Sequence, residues 1–440
     1  MTLAGSKGGI YWGDSDPGGY DIPVVRAWRD IGERNLTGAE LFCDLLQHAR
    51  PTQVEIGIGN TCGLECAHCF LGYGSGDMAG KLVPLETLAE VSTEFIEDFG
   101  SRIFCVTDRD ALTPRRSVPF FEHLAGLRRR YPDLKFGGVT NGLALNRFAD
   151  DLERIRLDYL DISVDGLRHE HDAVRGQGTF DRVLEGLRSA VQRGLAERVM
   201  VATTLTRLNH ASLIVLIRRL IEEEGVQWFD VGPLMAVKMK AYQLGPTDAA
   251  RFLSDLADGL KDVRPGQPTT VFFEICAYCA AFIPSLIDSG WLVPERLRQD
   301  RYGHIYQDIR VNSDITLTLR PELIPEYWRH NLRITADGYV VGGCEPLTQP
   351  DYARHAIGNI KDEPLKAIYA KALAIGSPFY RMMRAYDNSE CRERQCFRHC
   401  LGGDSLLSKA VYDNFNIKDP NCNWEEYRYE HQQEAIANAS

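Results

Sequence analysis

Val54-Glu-Ile-Gly-Ile58 leads through Gly-Asn-Thr into Cys62-Gly-Leu-Glu-Cys66-Ala-His-Cys69. The first stretch is an alternating apolar run and reads as a strand. The second sets three thiols at the spacing C-x3-C-x2-C. In a chain of 440 residues with 12 cysteines, such a run arises by chance about 0.01 times. Two chemistries compete for it. Structural zinc sites take four ligands, usually as two separated pairs. Three thiolates on one tight loop suit a cubane whose fourth iron stays open to a small chelating ligand.

Working outward, short strand-like runs follow at Arg102–Val106, Lys135–Thr140, Tyr159–Val164, Val199–Leu205 and Trp228–Val231. Between them lie amphipathic stretches, Leu85–Phe99, Val118–Arg130, Ala149–Ile155, Phe180–Arg193 and Ala211–Glu224. Six β–α alternations predict an α/β fold, a parallel sheet with right-handed crossovers. They are too few for a full eight-fold barrel and suit a partial (β/α)6 TIM-type barrel. Functional loops of such a barrel sit at the C-terminal ends of its strands, where the cysteine loop falls. The expected division is an N-terminal extension at 1–50, the partial barrel at 51–240, a helical bridging region at 241–330 and a C-terminal domain at 331–440. Within the last, Asn331–Val341 reads as a hairpin turning at Asp337-Gly338.

Composition narrows the function classes. The chain is 44% apolar and 25% charged, with a net charge of −11. That excludes wholesale disorder, and the acidic balance argues against a nucleic-acid partner. No apolar run approaches the ~18 residues of a membrane span, and the N-terminus lacks the apolar stretch of a signal peptide. A cytoplasmic location and no membrane partner are therefore expected. In a reducing compartment, clustered cysteines more often bind metal than pair as disulfides.

The cysteine loop, with His68 before its last thiol, resembles the motif of radical S-adenosylmethionine (SAM) enzymes. Thr140-Asn141-Gly142, Asp161-Ile-Ser-Val-Asp-Gly166 with Arg175-Gly176, and Val201-Ala-Thr-Thr-Leu205 with Asn209 resemble the family's later strand segments, in its order. The resemblance implies a [4Fe-4S] cluster on Cys62, Cys66 and Cys69, with SAM chelating the free iron. One electron would cleave SAM to methionine and a 5′-deoxyadenosyl radical, which takes a hydrogen atom from an unactivated C–H bond. It implies SAM contacts from Asn141, Ser163, Asp165 and Arg175, the last as a guanidinium clamp on the SAM carboxylate. Where the family has Gly-Gly-Glu-Pro, this chain has Asp108-Arg109-Asp110-Ala111. Asp110 is expected to replace the glutamate toward SAM, with Asp108 and Arg109 as substrate contacts.

The C-terminal segment resembles a reduced form of the SPASM or twitch extension of these enzymes. Cys391, Cys396, Cys400 and Cys422 match its outer cluster and imply one auxiliary [4Fe-4S] cluster, fully thiolate-ligated. The inner cluster looks dismantled, because Asp404 stands where a cysteine would. A rival arrangement uses Cys276, Cys279 and Cys344 with an open site. Glu345, directly after Cys344, matches a position that serves as general base in related dehydrogenases. Cys43 and Cys105 read as inert packing residues. The substrate expected is small and polar, cationic at most, such as a sugar or aminocyclitol in aminoglycoside-type antibiotic biosynthesis. The outcomes would be alcohol oxidation, diol dehydration or epimerisation, with flavodoxin or ferredoxin as electron donor. The alternative is a maturase that crosslinks or epimerises a ribosomal peptide.

Overall fold

The computed structural model describes residues 18–47, 49–72, 81–107, 109–112, 115–325 and 331–422. Thirteen strands form one open sheet among these residues. They are β1 (Gln53–Gly57), β2 (Ile103–Thr107), β3 (Lys135–Thr140), β4 (Leu157–Ser163), β5 (Ala196–Leu205), β6 (Trp228–Pro233) and β7 (Thr269–Ile275). There follow β8 (Arg298–Gln299), β9 (Ile305–Arg310), β10 (Ile315–Pro321), β11 (Asn331–Ile334), β12 (Tyr339–Gly342) and β13 (Gly358–Asn359). The order is β13-β12-β11-β1-β2-β3-β4-β5-β6-β7-β10-β9-β8.

The first seven strands run parallel in sequence order, joined by helices that cover the outer face. Each strand carries the β-branched and aromatic residues that suit a sheet covered on both sides, and all seven residues of β4 are buried. This is the partial barrel expected from the alternation. Two further strands extend it in parallel: β10 beside β7, and β11 beside β1. Antiparallel strands then close off each edge.

The region expected to be a helical bridge is different. It holds one long helix, Pro246–Leu260, but also β7, β8, β9 and β10. Thr269-Thr-Val-Phe-Phe-Glu-Ile275 is a continuous buried strand rather than part of a helix, because it enters the sheet beside β6 and finds both faces covered. The hairpin at 331–342 forms as expected, and its first strand pairs with β1.

The two N-terminal helices, Pro23–Gly32 and Gly38–Leu46, serve the C-terminal segment rather than the barrel. Thr37 and Glu40 form a capping box at the second. Phe42 packs on Phe379 and Tyr380, and Gly38 N–H donates to Asp387 at 3.0 Å. Trp28 Nε1 donates to the carbonyl of His399 at 2.9 Å, within the Cys396–Cys400 turn.

Candidate active site

The C-terminal ends of the strands open on a cavity of about 760 Å³. Cys62, Cys66 and Cys69 line it, on the loop that follows β1. The loop is tied down on three sides. Cys69 N–H donates to the Cys66 carbonyl at 3.0 Å, Ala67 N–H to Val174 O at 2.8 Å and Gly72 N–H to Leu347 O at 2.9 Å. Asn141 Nδ2 donates to Cys62 Sγ at 3.4 Å. Gly142 lets that asparagine reach in: its φ is +80°, and a Cβ there would lie 2.4 Å from Val183 Cγ2.

The donor set suits an iron–sulfur cluster. Burial pushes the Cys66 thiol up to about 11, with Arg175 acting against it. Such a thiol ionises near neutrality only beside strong positive charge, which cluster irons supply. Among the described residues, no three His, Cys, Asp or Glu side chains converge on a single metal ion. A cubane asks for something wider, one thiolate on each of several irons.

Asn141, Ser163, Arg175 and Arg109 line the cavity as expected. Asp165 stands behind them. Arg175 Nε and Thr204 N–H donate to its carboxylate, the latter at 2.8 Å, and His68 Nε2 lies 3.6 Å away. Burial works to raise the Asp165 carboxyl, but Arg175 and His68 outweigh it and hold it below its ordinary range. The carboxylate thus fixes the direction of the Arg175 guanidinium. Asp172 braces the next turn, accepting from Gly178 N–H and Phe180 N–H at 2.9 Å each.

Two of the expected site residues, Asp110 and Glu345, are not in the cavity lining, and a third falls outside the described residues. Asp110 is buried and engaged by its surroundings. Its carboxylate accepts from Leu112 N–H at 2.9 Å, Asn141 N–H at 2.7 Å and the Thr140 hydroxyl at 3.1 Å. Without the family's glycines the loop takes another path, and both oxygens go to bracing it. Glu345 is 1% exposed, opens a 3-10 turn, Glu345–Thr348, and is not among the residues that line the cavity. Asp108 lies outside the described residues.

The cavity wall also holds residues that the motif reading missed: Asp230 on β6, Glu274 on β7, and Lys238, Tyr278 and Arg333. Burial holds Glu274 well above the ordinary carboxylate range although Arg320 pairs with it, and it shares a hydrogen bond with Asp230. Asp230 Oδ1 has no hydrogen-bond partner. One rung deeper, burial raises the Asp161 carboxyl to about 8, with Asp230 adding to the effect. The available signal was an acid inside an otherwise apolar strand, as in Phe272-Phe-Glu-Ile275.

Cys391, Cys396 and Cys400 are buried and Cys422 is half-buried. Cys396 and Cys400 share a hydrogen bond, and Cys422 lies within electrostatic reach of Cys391 and Cys400. The fold thus brings these four together. Of the two cysteines read as packing residues, Cys105 is half-buried on β2, with its thiol raised to about 12 by burial, whereas Cys43 is exposed on its helix.

A partial barrel with a three-thiol loop and a guanidinium at the mouth defines a class: enzymes that hold SAM against an iron–sulfur cluster. Residues 56–220 match the family description of the Radical SAM superfamily. Members of that superfamily are enzymes, and SAM with a [4Fe-4S] cluster are its cofactors. The chain is 29% identical to Fe-coproporphyrin III synthase of Methanosarcina barkeri, over 82% of this chain and 85% of the relative. It is 30% identical to pre-heme d1 synthase of Dinoroseobacter shibae, over 44% of this chain and 48% of the relative. It thus spans about half the length of that second relative. The crystal structure of Streptococcus suis SuiB bound to its precursor peptide SuiA shares the fold, with a TM-score of 0.63 at 16% identity. That likeness covers 87% of this chain and 78% of SuiB. No helix among the described residues is long and apolar enough to cross a membrane.

Proposed function

We propose that Cys62, Cys66 and Cys69 hold the SAM-binding cluster, and that the chain removes a hydrogen atom from a small polar substrate in the adjoining cavity. When bound, cluster and SAM supply a 5′-deoxyadenosyl radical. The chain's own residues do the rest. Arg175, aimed by Asp165, and Ser163 receive the carboxylate of SAM, and Asn141 donates to the Cys62 sulfur. Cys391, Cys396, Cys400 and Cys422 hold an auxiliary cluster, with no iron left open to substrate.

Asp230 carries the substrate reading. It is an acceptor with an unpartnered oxygen, set in the cavity wall beside Glu274. A buried acceptor of this kind favours a hydroxyl or ammonium donor. The cavity falls within the roughly 300–1,000 Å³ range of small-molecule sites and must house SAM as well, which leaves room for a compact ligand. A sugar or aminocyclitol, oxidised, dehydrated or epimerised, fits those terms. A second reading follows from the 29% identity over most of the Fe-coproporphyrin III synthase chain. Lys238 and Arg109, both on the wall, would then face the carboxylates of a tetrapyrrole. Modification of a ribosomal peptide is the third, with the fold of SuiB as its support.

The test is anaerobic SAM cleavage by the reconstituted protein under a reductant, with deuterated candidates of each class. The expected result is deuterium in 5′-deoxyadenosine from an aminocyclitol or sugar, and none after Cys62→Ala, Cys66→Ala or Cys69→Ala. Asp230→Asn should raise KM for that substrate about tenfold, the loss of one charged hydrogen bond. Deuterium transfer only from a porphyrin or a peptide would overturn the small-substrate reading. No SAM cleavage at all would remove the enzyme assignment to these cysteines.

A further inference from the structure

The loop that follows β6 builds one side of the substrate cavity, with Leu234, Met235 and Lys238 in its wall. Its ends are tied to the barrel. Leu234 N–H donates to Leu205 O at 3.1 Å, and Arg207 N–H to Tyr242 O at 2.8 Å. Between these ties Met239 holds φ at +55°. A residue other than glycine keeps that left-handed backbone only where its surroundings over-determine it.

Those surroundings come from the far end of the chain. Ala236 N–H donates to Asn421 Oδ1 at 2.8 Å, Gln243 Nε2 to Asn421 O at 2.8 Å and Lys240 Nζ to Pro420 O at 3.0 Å. Asn421 is 2% exposed, so its amide oxygen is committed inside the protein, where a lost partner is costly. The same short segment meets the outer cysteines on its other side. Asp419 accepts from Asn421 N–H at 2.7 Å through one carboxylate oxygen and from Asp404 N–H at 2.8 Å through the other. Asp404 follows the turn that begins at Cys400, in which Gly403 N–H donates to Cys400 O at 2.8 Å. Gly403 has φ +80°, and a Cβ there would lie 2.5 Å from Asp419 Cβ, so turn and segment are in close contact. Cys422 ends the segment, its N–H donating to Asp419 O at 2.9 Å. A chain of hydrogen bonds thus runs from the Cys400 turn, through Asp419 and Asn421, to the cavity wall.

We infer that Asn421 is a positioning residue that makes this cavity wall depend on the outer cluster. The inference rests on the reading that Cys391, Cys396, Cys400 and Cys422 hold that cluster. An iron–thiolate bond at Cys422 fixes the segment one residue from Asn421. The two carbonyls and the amide oxygen that receive the loop are then held in place. Without the cluster, segment and loop relax together, and Leu234, Met235 and Lys238 lose their position around the substrate. A contiguous network with two arrangements is what carries coupling between distant sites. The substrate site is therefore completed only in a chain whose outer cluster is loaded.

The test uses the full chain, reconstituted without oxygen, and reads hydrogen exchange in the peptides covering 234–243, with iron content beside it. Cys391→Ser/Cys396→Ser should lose about four irons and speed exchange in these peptides about fivefold, the worth of one buried hydrogen bond. Exchange in the helix Leu145–Ile155, between β3 and β4, should not move. Asn421→Ala should keep the iron and show the same rise. Combining the two changes should add nothing further, because the loop is released only once. Loop exchange unmoved when the irons leave or in Asn421→Ala, or two rises that add independently, overturns the inference and leaves the outer-cluster reading standing. An iron content unchanged in Cys391→Ser/Cys396→Ser removes that reading, and this inference with it. Lys240→Ala/Gln243→Ala cuts two of the same bonds from the loop side, at an exposed and a half-buried position. It carries the same expectations where Asn421→Ala fails to fold.

Discussion

Asp161→Asn offers a prediction whose size follows from the structure. The carboxyl lies inside the barrel on β4, is 8% exposed, and has Oδ1 without a hydrogen-bond partner. Burial, reinforced by Asp230, raises it from 3.8 to about 8. A folded-state value above the unfolded one means that the unfolded chain loses its proton first. Stability contributed by the protonated form is thus complete below pH 3.8, declines as pH rises, and levels off above about 8. Asparagine keeps the shape and never ionises. The variant should match the parent near pH 4 and gain on it steadily up to about pH 8. Between 3.8 and pH 7, at about 1.4 kcal/mol per pH unit, the ceiling on that gain is about 4 kcal/mol. Denaturant midpoints of the cluster-loaded protein, measured anaerobically from pH 5 to 9, give the difference. The infrared spectrum of parent minus variant gives the titration directly, as a protonated carboxyl band that persists at pH 7. A gain independent of pH, or a band already lost at pH 5, would refute the reasoning.

Other perturbations test other parts of the site. Asp172→Ala removes the acceptor of two backbone N–H groups and should cost about 2–3 kcal/mol of stability, read as a denaturant midpoint. The Asp172 carboxyl sits below its ordinary range, where these hydrogen bonds and His171 outweigh the opposing effect of burial. The parent's advantage over this variant should therefore be present above the unfolded carboxyl value and fade as pH falls below it. Asn141→Ala deletes the donor to Cys62 Sγ; the reduction potential of the SAM-site cluster should fall, by redox titration, while its iron count holds. Gly72→Ala would bring a Cβ to 2.4 Å from Thr348 O. The cluster loop must then shift, and SAM cleavage should drop at least tenfold, the effect of about 1.4 kcal/mol misplaced.

The barrel was legible because its signals are local. Strand runs such as Tyr159–Val164, the cysteine loop and the Thr140-Asn141-Gly142 turn each announce themselves within a few residues. What sequence could not show depends on paths through space. Asp110 has the right chemistry for SAM, but its direction was set by a loop lacking two glycines, and the loop spends both carboxylate oxygens on itself. Glu345 follows Cys344 in the sequence, and only the fold shows that it also lies within electrostatic reach of Asp404. Asp230 and Glu274 meet across β6 and β7 because the register sets Asp230 opposite Phe272, two residues before Glu274, which no spacing along the chain encodes. The region from 241 to 330 hid its strands among charged connections, and only the partner β6 shows why Thr269–Ile275 is extended.

The pairing of β11 with β1 has a consequence for how this protein can be divided. Residues Asn331–Ile334 complete the hydrogen bonding of the strand that launches the SAM-cluster loop. Cutting the chain before that point would leave β1 with a bare edge, an invitation to aggregation, and strip the loop of its Leu347 anchor. The C-terminal segment is therefore no cartridge that can be swapped between relatives to graft a new substrate range. A graft that keeps this chain's activity must carry the edge strand along with the donor's cysteines.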